Sequence, residues 1–182
     1  RLRAGAAVLA ILCGAPSPPV LTQLMGEDEP IVREAAVAAV GHLGLTDVAD
    51  VVARHVLADD DRRVRVTAMS ALAALAPETA LSTLSSAVDA DDPAERSEAV
   101  RAIATLGGAA AVPVLVRRLG VEDAPEVRFQ LLLEISRNWV DGWPVPPEVT
   151  RAVAVCLDSE EEDSRAVAAH AAGLIGMPEH VA

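Results

Sequence analysis

The side chains that could do chemistry in this sequence are four histidines, two cysteines and a column of arginines, and their spacing decides what is open to them. His42, His55, His170 and His180 are spread one to a segment or fewer. No two stand four apart, as paired ligands on one helix face would, and no carboxylate is read at ligand spacing, so no metal site is expected. Cys13 and Cys156 sit in apolar surroundings near opposite ends of the chain, whereas a disulfide needs Cα atoms within about 7 Å. They read as reduced core thiols, which points to the cytoplasm. A nucleophile would have to be one of them or a helix serine, and no histidine and acid can be assigned beside either. The glycines of "GHLGLTD" and "TLGGAAAVP" follow helical runs rather than strands. A chain without lysine also holds no phosphate loop closing on G-K-[ST]. No catalytic residue, metal ligand set or cofactor site is read.

The arginines behave differently, because they recur with the elements that carry them. Arg3, Arg33, Arg65, Arg96, Arg128 and Arg165 are separated by about 31 residues, with one longer step of 37 before the last. Eleven positions after each stands Gly14, Gly44, Ala76, Gly107, Trp139 or Gly176, so four of the six phrases close on the glycine expected just past a helix end. Between those marks apolar residues repeat at helical spacing, as in Val32, Ala36, Ala39, Val40 and Leu43, which predicts an amphipathic helix in every phrase. Pro30, Pro93 and Pro125, three residues before their arginines, mark helix starts, where a first-turn proline costs no hydrogen bond.

A second helical run precedes each complete phrase, for example "VADVVARHVLAD" and "VPVLVRRLG". One helix pair cannot bury its apolar faces alone, so pairs must stack. The expectation is an all-α, right-handed α-solenoid of antiparallel helix pairs, forming one repeat domain over residues 1–182. Its units run over about 1–14 (partial), 15–44, 45–76, 77–107, 108–139 and 140–176, and 177–182 would open a further unit. Arg1 begins directly on a second helix and "MPEHVA" resembles the start of a first one, so the chain reads as a segment of a longer array.

The pattern V-R-x-x-A-x-x-A-L-x-x-L-G, with an acid in the turn before it, resembles HEAT repeats, and the short period is similar to the bacterial bilin-lyase-like subtype. The resemblance covers nearly the whole chain. It implies a HEAT-like superhelix in which the anchor arginines and the acids five residues before them, Asp28, Asp60, Asp91, Asp123 and Glu160, form a structural ladder along the stack. HEAT-fold iron hydroxylases carry His-Glu dipeptides in their helices, and this chain has none.

Composition bounds what the surface can bind. The chain is 52% hydrophobic with only 2% aromatic residues, so its core must be built from closely packed Ala, Val and Leu. All 15 basic residues are arginine, a bias that fits a GC-rich bacterial genome. The apolar run from Ala4 to Cys13 is shorter than the roughly 18 residues a membrane helix needs, and it repeats the later helices as no cleaved leader would. The net charge is −12 and the isoelectric point about 4.6. Of 27 acids, 16 fall in the short turns between paired helices, which places them on one edge of the expected stack. That edge argues against nucleic acid and suits solubility, helix capping or a basic partner.

The best reading of function is a non-enzymatic scaffold that holds a protein or peptide. Residues one, five and nine after each anchor are expected to face inward, because the core claims the positions between. They include Arg101, Phe129, Leu133, Arg137 and His170. The unit after Arg128 is irregular, and "NWVDGWPVPPE" holds both tryptophans. Phe129, Leu133, Trp139 and Trp143 are therefore the candidate apolar binding patch. Two other readings stay open: a lyase-type enzyme subunit, which the likeness to bilin lyases implies and which would act on a tetrapyrrole, or a passive spacer within a larger protein.

Overall fold

The computed structural model describes residues 17–139 and 144–176. Arg3, Cys13, Trp143, His180 and the partial units at either end lie outside the described residues. Within them the fold is all-α, with ten α-helices, one short 3₁₀ turn at Thr46–Val48 and no strand. By contacts the chain divides into two compact units, residues 1–87 and 88–182.

The first unit contains α1 (Pro18–Met25), α2 (Pro30–Leu43), α3 (Ala49–Ala58), α4 (Arg62–Leu75) and α5 (Pro77–Ala87). α1 pairs with α2 and α3 with α4, while α2 lies along α4 and α3 along α5. The core is the shared apolar stripe: Leu21 and Met25 meet the side of α2 that buries Val32, Ala36 and Val40, and α4 contributes Val64, Ala68 and Leu72. Small residues let the second helices approach closely. At Gly41, a Cβ would stand 2.9 Å from the Cβ of Ala71 on α4.

The second unit contains α6 (Pro93–Leu106), α7 (Gly108–Leu119), α8 (Pro125–Arg137), α9 (Pro147–Leu157) and α10 (Glu162–Leu174). α6, α8 and α10 pack side by side as second helices, and α7 and α9 cover them as first helices. Ile103, Leu115, Leu131, Leu132, Ile135 and Val153 fill the space between.

The local signals act as their chemistry requires. Pro30, Pro93 and Pro125 occupy the first turns of α2, α6 and α8, and Asp61 and Asp92 cap α4 and α6 through their side chains. Gly44 stops α2 in the left-handed region, with φ 66° and ψ 35°, a conformation that a side chain makes costly.

Candidate functional site

The recurrent arginines have one contact in common. Each described anchor donates from its guanidinium to the main-chain carbonyl six residues before it. Arg33 reaches Glu27, Arg65 reaches Asp59, Arg96 reaches Ala90, Arg128 reaches Glu122 and Arg165 reaches Ser159, at 2.6 to 3.0 Å. Arg33, Arg96, Arg128 and Arg165 also reach the carbonyl five residues before, that of Asp28, Asp91, Asp123 and Glu160 respectively. The arginine thereby closes the turn that leads into its own helix.

In each unit one anchor also holds a buried carboxylate from the following repeat. Arg33 donates from Nε and Nη2 to the two oxygens of Asp59, at 2.9 and 2.8 Å. Asp59 accepts further from the N–H of Asp61, and Nδ1 of His55 lies 2.8 Å from its other oxygen. In the second unit Arg96 grips Glu122 in the same way, at 2.9 and 2.7 Å. Arg118 takes the place of His55, donating to Glu122 at 2.9 Å from four residues earlier. Burial works to raise both carboxyls. It is outweighed by the hydrogen bonds, from Arg33, Asp61 N–H and His55 in one case and from Arg96, Arg118 and Ala124 N–H in the other, and each group is held at about 2.

These bonds revise two expectations. The carboxylates received by the guanidinium forks are Asp59 and Glu122, each one residue before the acid that the repeat suggested. Asp60 and Asp123 are 98% and 92% exposed and make only outlying contacts, at 3.1 Å to Arg33 and 3.5 Å to Arg96. Asp28 and Asp91 enter through their main chain, and the side-chain caps are Asp61 and Asp92. His55, for which the sequence suggested no carboxylate at ligand spacing, has Asp59 four residues on, at 2.8 Å.

The second helices leave a partly open stripe at the positions expected to face a partner. On α8 Phe129 and Leu133 are half-buried and Arg137 is exposed, while Val127, Leu131, Leu132 and Ile135 turn into the core. Arg101 on α6 and His170 on α10, the flanking helices, are exposed. Both arginines are held by acids of their own helices, Arg101 by Glu98 and Arg137 by Glu134 at 3.0 Å. Glu134 is itself buried, at a position where the other described units carry alanine, and accepts from Gln130 at 2.7 Å.

Trp139 stands elsewhere. It lines a cavity of about 800 Å³ with Val112 and Val116 of α7, Val121 in the following turn, and Pro144 and Pro146 before α9. Arg117, Glu148 and Arg151 stand at the same cavity, and Phe129 and Leu133 do not line it. The proposed patch is thus divided among the described residues. Nothing in the sequence pointed to Val112, Val116 and Arg151 as its neighbours, because they come from two helices that the repeat treats as equivalent.

Among the described residues no group of three or more His, Cys, Asp or Glu side chains is placed to hold a metal ion, and no helix is long and apolar enough to cross a membrane. Burial pushes the Cys156 thiol up, against a smaller opposing effect of Arg128, and so withholds the thiolate a nucleophile needs.

Residues 2–73 and 52–136 match the family profile of HEAT repeats. Among curated proteins none matches the sequence. Several solved structures share the fold. A chain of the complex of CpcE and CpcF of phycocyanin lyase from Nostoc is 16% identical, with TM-score 0.65 over 91% of this chain and 67% of that one. YibA of Escherichia coli is 16% identical with TM-score 0.68, and the match spans 92% of this chain but only 59% of YibA. A HEAT-like repeats protein from the archaeon Thermococcus onnurineus is 18% identical with TM-score 0.57, over 96% of this chain and 76% of that one. At these identities the likeness is one of fold.

Proposed function

The chain belongs to the HEAT-repeat family, and on that premise we propose that it is a non-enzymatic scaffold that holds a protein or peptide on its second helices. The observation that carries this reading is the stripe on α8. In a chain with a single phenylalanine, that residue and Leu133 remain half-buried while the same helix sends four other apolar side chains into the core. Neighbouring helices extend the stripe with Arg101 and Thr105 on one side and Ala166, His170 and Leu174 on the other, all exposed. With both arginines held by acids of their own helices, the stripe offers apolar contact rather than an anion site, which suits a helix or extended peptide. In the same unit the exposed Asp123 carboxylate, in the turn before α8, favours a basic partner.

The test is affinity capture from the extract of the protein's own cell, comparing wild type with a Phe129→Ser, Leu133→Ser variant of unchanged melting temperature. A partner retained by wild type and lost by the variant supports the stripe. Identical capture by both removes it.

A further inference from the structure

The cavity beside Trp139 has a chemistry that the scaffold reading does not use. Its volume of about 800 Å³ lies in the range of small-molecule sites. The wall is apolar, formed by Val112, Val116, Val121, Pro144, Pro146 and the indole of Trp139, so the body of a ligand there must be apolar, and the indole favours a flat ring. Among the described residues the charged groups lining the cavity are Arg117, Glu148 and Arg151. The two arginines, both exposed, are not equivalent. Arg117 is engaged by Asp89 at 2.9 Å, whereas Arg151, whose planar guanidinium suits a carboxylate or sulfonate, lines the cavity with no ion-pair partner among the described residues.

We propose that this cavity binds a small amphipathic organic anion, one with a flat apolar body of two or three rings and a single acidic group that pairs with Arg151. The rings lie against Trp139 and the valines of α7, where burial supplies the affinity. The acid at the opening fixes the orientation, and Glu148, close to Arg151 in sequence and at the same cavity, disfavours a second negative charge. A cation is disfavoured by the guanidiniums, and a polyanion by the rest of the surface.

The test uses 8-anilinonaphthalene-1-sulfonate, which has this form, and its uncharged relative N-phenyl-1-naphthylamine, each titrated into the full chain and read by probe fluorescence. The expected result is saturable binding of one equivalent of the sulfonate. Arg151→Gln should weaken it about tenfold while leaving the neutral probe unchanged. Val121→Glu adds a carboxylate at a residue 66% exposed, so folding is spared, and it should abolish sulfonate binding alone. Phe129→Ser, which removes the scaffold stripe, should leave both probes bound, so the two ideas fail separately. Absence of saturable binding to wild type overturns the proposal, as does equal sulfonate affinity in wild type, Arg151→Gln and Val121→Glu.

Discussion

Arg33 and Asp59, separated by 26 residues in sequence, meet fork to fork at 2.9 and 2.8 Å with both side chains buried. Arg96 and Glu122 repeat the arrangement at the same separation in the second unit. Each pair joins one helical repeat to the next, and each carboxylate carries enough donors that its burial leaves no oxygen unanswered.

The acids of this region should therefore be unequal. Asp59→Asn leaves the buried Arg33 guanidinium without its countercharge and is expected to cost about 3 kcal/mol in urea denaturation. Asp60→Asn, at an exposed position, should cost less than about 1 kcal/mol. Asp28→Asn should be nearly silent, since the main-chain carbonyl that Arg33 uses survives the change. Equal losses for all three would contradict the assignment.

Acid should loosen both clusters in a defined window. Asp59 and Glu122 are held at about 2, below their ordinary values of 3.8 and 4.5. At neutral pH both are ionised in folded and unfolded chains and their contribution is complete. As the pH falls through about 4 the unfolded chain takes up protons first, and the contribution, roughly 2 kcal/mol for Asp59 and roughly 3 kcal/mol for Glu122, is gone once the folded carboxyls protonate near 2. Urea midpoints measured from pH 7 to 2.5 should fall over that range, and the Asp59→Asn, Glu122→Gln double variant should show a flatter profile. The same slope in both proteins would place the acid sensitivity elsewhere.

Gly41 is a contact residue by virtue of having no side chain. Gly41→Val should destabilise the first unit by about 2 kcal/mol through overpacking on Ala71. Ala71→Gly in the same chain should recover part of that loss, whereas additive losses in thermal melts would show that the two positions do not meet.

Two apolar residues three apart on α8 should part company. Leu132, 1% exposed, is expected to cost about 3 kcal/mol on truncation to alanine. Phe129→Ala, at a half-buried site, should cost less than about 1.5 kcal/mol despite its greater size. A comparable loss for both would make Phe129 a core residue and end its role as an anchor.

The anchor-bearing helices were legible because apolar spacing recurs in every one of them, reinforced in some by a first-turn proline, a closing glycine or both. α2 shows all three, from Pro30 to Gly44. The arginine column was legible for a different reason, since every described anchor closes the same turn. The identity of its acid was not. Asp59 and Asp60, or Glu122 and Asp123, are adjacent carboxylates in irregular turns, where no period dictates which side chain points inward. The neighbourhood of Trp139 was hidden for a related reason. It joins α7 to the segment before α9, and repeat positions describe what successive units share rather than where one departs from the rest.

The carbonyl contact of the arginines has a further bearing on how such a chain can change. An acceptor supplied by the backbone is the same whatever residue supplies it, and the five turns show this directly, with Glu27, Asp59, Ala90, Glu122 and Ser159 all serving one guanidinium position. The turn keeps its shape while its side chains are left unspecified. Except at the two gripped carboxylates and the capping Asp61 and Asp92, substitutions can rewrite the charge of a turn, even reverse its sign, without disturbing the joint beneath it. The joint and the surface above it are therefore free to vary independently of one another.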